Sequence, residues 1–212
     1  MKLCIVKILC VLFVSILIYG CGGRKQIDAN ILKDGDIIFQ NKKSKSSELL
    51  TALSVPEFNH TGILLSRNGK WYVLEASQPV ELTPVSSWIN SGDEDLYVIK
   101  RLKEADTLFN EENKERFNKA CNSYLGKPYD SHFSWSDDAF YSSELVWKIF
   151  KAAFDIELCS LQILGDFDLT SSETREKVKE IYGNKVPLYE EVISAEALFN
   201  SSQLITIMDN GK

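Results

Sequence analysis

The strongest constraint on the fold is an Asn-Gly pair, Asn68-Gly69, which stands between two apolar runs. Both central residues of a two-residue hairpin turn need positive φ angles, and Asn-Gly satisfies this need better than most pairs. A loop of only two residues also fixes the register of its strands, so that Arg67 lies opposite Lys70. The sequence therefore predicts an antiparallel β-hairpin over residues 60–76.

This register places His60 and Glu75 on one face of the hairpin. They form a diagonal pair on neighbouring strands, with Cβ atoms roughly 6 to 8 Å apart across Gly62. Glu75 follows an apolar run, and a carboxylate in such a place needs a partner because burial without one is costly. The pattern predicts a basic imidazole oriented by a carboxylate. An edge histidine without a chemical role is the alternative interpretation.

The first 20 residues have the pattern of a secretory signal peptide. Lys2 and Lys7 precede an apolar run that is too short for a spanning helix. The run ends in Gly20-Cys21, which is similar to a bacterial lipobox, and the polar residues 21–30 would serve as a tether. We expect lipidation of Cys21 to anchor the mature protein in the bacterial cell envelope, at the periplasmic or outer-membrane face.

The remaining residues, 31–212, are predicted to form one domain, since a chain of 212 residues with 44% hydrophobic content can bury one sizeable core. Without the two signal lysines, the chain has 30 acidic and 22 basic residues and is therefore negatively charged. A negatively charged chain is an unsuitable partner for nucleic acid. Cys121 and Cys159 are predicted to be buried thiols rather than a disulfide, each within a helical apolar pattern. No Cys and His spacing suits a metal, and no cofactor is expected. The oligomeric state is left open.

Apolar periodicity and turn residues predict a mixture of strands and helices. A buried strand is expected at 37–39 and further strands at 96–102 and 204–207, with a loop containing Pro79 and Pro84 after the hairpin. Helices are expected at 44–54, 85–89, 111–124, 141–154 and 172–182.

Two serines, Ser142 and Ser143, fall at the predicted first turn of the fourth helix. Unpaired backbone amides at a helix N-terminus favour developing negative charge, so a nucleophile there would have its anion stabilised. Serines at helix starts also serve as caps, and so could Asp137 and Asp138 just upstream. Both interpretations remain open on the pattern alone.

Five motifs in this order resemble the YiiX/YaeF family, the circularly permuted branch of the NlpC-type papain-like amidases. They are Leu-x-x-Gly-Asp-Ile-Ile from Leu32, His60-Thr61-Gly62, Glu75-Ala76, Tyr-Leu-Gly-Lys-Pro-Tyr-Asp from Tyr124, and Tyr141-Ser142-Ser143-Glu144-Leu145. The resemblance implies an α+β fold, in which an antiparallel sheet curls toward a partial barrel and packs against helices.

The resemblance also implies roles for individual residues. His60 would be the general base, Glu75 its orienting group and position 142 the nucleophile. Beside these, Tyr141 and Ser143 are candidates for the oxyanion site and pocket, with packing of Tyr141 and capping by Ser143 as the alternatives. The family has Cys where this chain has Ser142. Three explanations stand open: a working serine triad, a retained pocket without turnover, or a Cys-to-Ser change introduced to trap the site. Because the chain keeps its signal peptide, we favour a natural serine.

The expected function is therefore a lipid-anchored hydrolase of amide bonds, acting on a small-molecule or peptidyl amide such as a cell-wall peptide or an N-acyl compound. The alternative is an inactive or weak family member that binds a peptidyl or acyl ligand in the retained pocket. Acyl transfer to an amine is a third, weaker hypothesis. His132, the second of only two histidines, is expected to be exposed on a loop.

Overall fold

The computed structural model describes residues 27–42 and 58–211. We number the elements of these residues in chain order. The strands are β1 Ile37–Gln40, β2 His60–Arg67, β3 Lys70–Glu75, β4 Glu81–Pro84, β5 Tyr97–Leu102, β6 Gln162–Ile163, β7 Glu191–Val192 and β8 Leu204–Asp209. The helices are α1 Val85–Asn90, α2 Ala105–Leu108, α3 Glu111–Tyr124, α4 Ser142–Phe154, α5 Ser172–Tyr182 and α6 Ala195–Phe199, with a 3₁₀ turn at Leu164–Asp166.

Six of these strands form one antiparallel sheet in the order β4-β3-β2-β1-β5-β8, and β6 pairs with β7 separately. The predicted hairpin is confirmed, since Arg67 lies opposite Lys70. Its turn residues Asn68 and Gly69 have φ angles of 53° and 73°. The α+β class, with an antiparallel sheet packed against helices, is confirmed as well.

The two faces of the sheet bury different apolar clusters. On one face, side chains such as Ile63 and Leu74 join the core that α3 and α4 contribute to. On the opposite face, Leu64 and Val73 pack with Trp88 of α1. Alternate residues of a strand point to opposite faces, so each position on the hairpin belongs to one cluster or the other.

Several predicted boundaries differ from the structure. The segment predicted as a loop with Pro79 and Pro84 contains β4, which pairs with β3 at the edge of the sheet. Pro84 ends this strand, and an edge position tolerates a proline because one side of the strand has no hydrogen bonds to make. The helix predicted at 44–54 and the lipidation site Cys21 lie outside the described residues.

The predicted caps of α4 were wrong. The N-cap residue is Tyr141, while the carboxylate of Asp137 contacts the ammonium of Lys148 at 2.9 Å. The two cysteines are free thiols as predicted, but only Cys121 is buried. Cys159 is half-buried because it lies beyond the end of α4 rather than within a helix. Throughout residues 27–42 and 58–211, no helix combines the length and apolar character needed to cross a membrane.

Candidate active site

A buried pair of titratable residues, His60 and Glu75, joins the start of β2 to the end of β3. Nε2 of His60 lies 2.6 Å from Oε2 of Glu75, and the two residues are only 7% and 3% exposed. An ionised carboxylate can only accept, so Nε2 carries the proton that is donated. The predicted hydrogen bond across the hairpin is confirmed. We refer to these two residues as the His–Glu pair.

Gly62 makes this close approach possible. A Cβ atom at position 62 would lie 2.4 Å from Cγ1 of Val73 and 2.8 Å from the carbonyl oxygen of Leu74. Any side chain there would push β2 away from β3. Glycine at this position therefore keeps the two strands that carry the pair in contact.

Three further groups surround the carboxylate of Glu75. The Trp88 indole donates to Oε2 at 3.1 Å and the Thr83 hydroxyl donates to Oε1 at 2.5 Å, while Nζ of Lys42 lies 3.7 Å from Oε2. Burial opposes ionisation of this carboxyl, but the hydrogen bond from His60, the Thr83 hydroxyl and the Lys42 charge together hold its pKa well below the ordinary value of 4.5. Glu75 is therefore a fixed anion at neutral pH.

The surroundings of His60 favour the neutral form of its imidazole. Its ring stacks on Trp88 with centroids 5.5 Å apart and planes at 22°. Burial lowers the pKa of His60, the charge of Lys42 lowers it further, and Glu75 opposes both without reversing the direction. With Nε2 protonated toward Glu75, the lone pair of Nδ1 is the basic site. Nδ1 has no hydrogen-bond partner among the described residues, so it can accept a proton.

Ser142 is the first residue of α4 and is 7% exposed. The helix's first hydrogen bond runs from the amide of Leu145 to the carbonyl of Tyr141. The amides of Ser142 and Ser143 precede it and have no acceptor among the residues that the structure describes. The Ser142 hydroxyl forms no hydrogen bond with His60, nor with any other described residue. The head of α4 thus presents a hydroxyl beside two donor amides.

Tyr141 and Ser143 both bind Ile193 rather than opening toward a pocket. The Tyr141 hydroxyl accepts from the amide of Ile193 at 2.9 Å, and the Ser143 hydroxyl donates to its carbonyl at 2.7 Å. Both side chains are almost completely buried. They fix the first turn of α4 to the segment after β7.

A buried pair, Glu144 and Lys148, lies directly behind this turn. The Glu144 carboxyl group accepts from the amide of Tyr141 at 3.3 Å and lies 3.0 Å from the ammonium of Lys148. Burial raises the pKa of Glu144 to about 8, although Lys148 and the Tyr141 amide oppose the rise. The same ammonium donates to the carbonyl of Ser136 and contacts Asp137. Lys148 therefore holds the loop that leads into α4 against the helix.

Backbone pairing brings the head of α4 to the end of the sheet that carries the His–Glu pair. Val80, in the connection that follows β3, exchanges hydrogen bonds of 2.8 and 2.9 Å with residues 126–127. The next residues, 128–130, exchange bonds of 3.0 and 3.1 Å with Phe140, two residues before Ser142. The His–Glu pair and α4 lie on different faces of the sheet, so a group bridging them must pass the end where β2 begins.

The cysteines offer no alternative nucleophile in the described part of the chain. Burial raises the pKa of both Cys121 and Cys159 to about 12. A thiol with so high a pKa holds almost no thiolate at neutral pH. His132 is exposed on its loop, as predicted.

Comparison with known proteins decides the family. Residues 31–208 match the model of the permuted papain-like amidase enzymes, the YaeF/YiiX or C92 family. The chain belongs to this family. It is 41% identical over 173 residues to the uncharacterized protein YiiX of Escherichia coli strain K12. The aligned residues cover 82% of this chain and 84% of that protein. Membership indicates a hydrolase of amide bonds.

A solved structure is similar in both fold and sequence. The crystal structure of yiiX from Escherichia coli O157:H7, described as a metalloprotein, superposes with a TM-score of 0.78 at 40% identity and covers 84% of this chain and 97% of that one. In residues 27–42 and 58–211 of the present chain, no three His, Cys, Asp or Glu side chains gather closely enough to hold a metal ion. These residues do not fit a metal centre, and we derive no chemistry from one.

Sequence reasoning missed Thr83, Trp88 and Lys42. Thr83 lies opposite Val73 in the β3–β4 pairing, which makes it a diagonal neighbour of Glu75, so recognising β4 would have found it. Trp88 and Lys42 lie outside the hairpin, and tertiary packing brings them to Glu75. No local pattern in the sequence could have placed them.

Proposed function

We propose that the chain is a lipid-anchored amidase with Ser142 as nucleophile, His60 as general base and Glu75 as the group that orients His60. The carrying observation is the state of the imidazole. Its Nε2 lies 2.6 Å from the carboxylate of Glu75, its Nδ1 is left to accept a proton, and burial lowers the pKa of the ring. A serine hydroxyl needs such a base because it is too weak an acid to ionise alone.

In the proposed reaction the Ser142 oxygen attacks the amide carbonyl carbon while its proton passes to Nδ1 of His60. The imidazolium then returns this proton to the amine as the C–N bond breaks, which leaves an acyl ester on Ser142. Water attacks the ester, again losing a proton to His60, and the acid and free serine are released. Glu75 keeps the tautomer and offsets the positive charge in both steps.

The oxyanion of each tetrahedral intermediate would lie against the amides of Ser142 and Ser143. Each such donor typically lowers the barrier by about 3 kcal/mol. The contacts of Tyr141 and Ser143 with Ile193 serve to hold these amides in place. The mechanism requires Nδ1 of His60 and the Ser142 hydroxyl to come within hydrogen-bond distance in the substrate complex. Since His60 stacks on Trp88 on one face of the sheet and α4 packs on the other, this contact would have to form at the end of the sheet where β2 begins.

We place this reaction at the bacterial cell envelope, with acyl chains on Cys21 as the anchor. The supporting observation is the sequence around Gly20-Cys21, since a lipidated N-terminus behind a polar tether would hold the domain beside the membrane. Cell-wall peptides and N-acyl compounds are the amides available to such an enzyme.

One observation favours a second candidate function. The family's nucleophile is a cysteine, and Ser142 stands in its place with no hydrogen bond to His60. In this alternative the protein binds a peptidyl or acyl ligand without turnover. Ser142→Cys would then create hydrolysis while leaving ligand binding unchanged, and a wild type as fast as this variant would exclude the alternative.

Active-site labelling tests the proposal. The full chain is incubated with fluorophosphonates of several chain lengths, and mass spectrometry of peptides locates the adduct. We expect labelling at Ser142 that is abolished in Ser142→Ala and strongly reduced in His60→Gln. A matched control is Ser66→Ala, which removes a hydroxyl from the far end of β2 and should label like the wild type.

The outcome against the proposal is equally concrete. If no probe labels Ser142 while circular dichroism shows a folded protein, the serine is not activated. Labelling that persists in His60→Gln would mean that His60 is not the base.

A further inference from the structure

Lys42 lies just after β1, beside the strand that begins with His60. The Asn59 side chain holds its backbone from both sides: Oδ1 accepts from the Lys42 amide at 2.8 Å, and Nδ2 donates to the Lys42 carbonyl at 3.2 Å. Nδ2 also donates to the side chain of Asn41 at 2.7 Å. Asn59 is itself 9% exposed. The residue next to His60 thus fixes where the backbone of Lys42 lies.

The side chain of Lys42 brings a positive charge to the His–Glu pair. Its ammonium lies 3.7 Å from the same Oε2 of Glu75 that accepts from His60, and the side chain is 27% exposed. The two contacts to one oxygen place Nζ within about 6 Å of Nε2 of His60. At this separation in a partly buried site, a unit charge has a substantial effect on a titrating group.

We propose that Lys42 is a positioning residue, which acts through Glu75 to keep the imidazole of His60 unprotonated at neutral pH. The inference rests on the proposed function, in which His60 must be neutral to accept the Ser142 proton. Glu75 alone would attract a second proton to the imidazole and so weaken the base. The ammonium of Lys42 offsets this attraction while stabilising the ionised carboxylate.

Among the described residues, Glu75 and Lys42 are the charged groups that act on His60. The neighbours Thr83 and Trp88 donate hydrogen bonds to Glu75 but carry no charge. Within residues 27–42 and 58–211, the charges that act on the imidazole are therefore the carboxylate of Glu75 and the ammonium of Lys42. Removing the cation should favour the protonated imidazole.

Nuclear magnetic resonance can measure the protonation of His60 in the absence of any reaction. Assignment is simple because the full chain has only two histidines. The imidazole signals are followed against pH, and His132→Gln assigns the remaining signal to His60. In Lys42→Met we expect the titration midpoint of His60 to rise by about half a pH unit or more. In Lys42→Arg, which keeps the charge, the midpoint should stay close to that of the wild type.

A matched control removes a lysine elsewhere. Lys114→Met changes the net charge equally at an exposed ion pair on α3, and the His60 midpoint should not move. A midpoint unchanged in Lys42→Met, or shifted equally in Lys114→Met, would overturn the proposal. Because the titration is read in the absence of substrate, this outcome is independent of fluorophosphonate labelling, and the two proposals can fail separately.

Discussion

The substitution Gly62→Ala tests whether contact between β2 and β3 sustains the His–Glu pair. The added methyl would lie 2.4 Å from Cγ1 of Val73 and 2.8 Å from the Leu74 carbonyl oxygen. The first contact is about 1 Å closer than van der Waals packing permits, and the second involves backbone that cannot rotate away. Overpacking of this kind costs about 1 to 3 kcal/mol.

Replacing glycine also restricts the conformations of the unfolded chain, which stabilises the folded state by about 0.4 to 1 kcal/mol. The net loss should be about 1 to 2 kcal/mol, or a fall of roughly 2 to 8 °C in Tm for a domain of this size. Calorimetry of the full chain measures the Tm. We expect the same variant to disturb the imidazole signal of His60, since pushing β2 away from β3 moves the strands that carry His60 and Glu75.

Gly69→Ala is the matched control for this prediction. Gly69 has a φ of 73° and open space around its Cβ position, so alanine there strains the turn by about 1 kcal/mol without touching the site. It should lower the Tm while leaving the His60 titration unchanged. Should Gly62→Ala match the wild type in both Tm and His60 titration, the strands have room to part, and the account of Gly62 is refuted.

Three further predictions concern protonation. Glu75 has a pKa of about 2 in the fold against 4.5 for an ordinary glutamate. Its ionised form therefore stabilises the folded protein fully above pH 4.5, and this contribution is lost as the pH falls toward 2. Urea unfolding of Glu75→Gln and of the wild type should show that the difference between their free energies of unfolding falls by about 3 kcal/mol over that pH range. The pKa of Glu144 is shifted in the opposite direction, to about 8. The free energy of unfolding of the wild type should therefore fall relative to that of Glu144→Gln as the pH rises from 4.5 through 8. In Ser142→Cys, iodoacetamide should alkylate the new thiol slowly below about pH 8 because a neutral His60 does not stabilise a thiolate; a rate already maximal at pH 6 would contradict this.

The hairpin and its His–Glu pair could be predicted from the sequence because their determinants are local. Asn68-Gly69 fixes the turn, the turn fixes the register, and the register fixes which side chains share a face. The helix α3 was predicted from apolar spacing and from Gly126 just after its end, and α5 was predicted from its charged surface pattern and from Gly183, which follows its last residue. In each case the information lay within about fifteen residues of chain.

The surroundings of the pair could not be predicted in this way. Trp88 and Lys42 reach Glu75 from segments on either side of the hairpin, and the start of α4 is set by Tyr141 and its contact with Ile193 rather than by the aspartates upstream. These contacts depend on tertiary packing, which overrides local capping preference. The family pattern supplied the identity of the site, and only the fold supplied its electrostatics.

Those electrostatics bear on the serine itself. A cysteine nucleophile works best as a thiolate beside an imidazolium, an arrangement that needs a histidine with a raised pKa. Here burial and Lys42 both lower the pKa of His60, which disfavours that ion pair. A serine has the opposite requirement, because its proton must move to a neutral base as attack occurs. Within the proposed function, this environment meets the requirement of the hydroxyl that the chain carries at position 142, because a base whose pKa is lowered is unprotonated at neutral pH and can accept its proton.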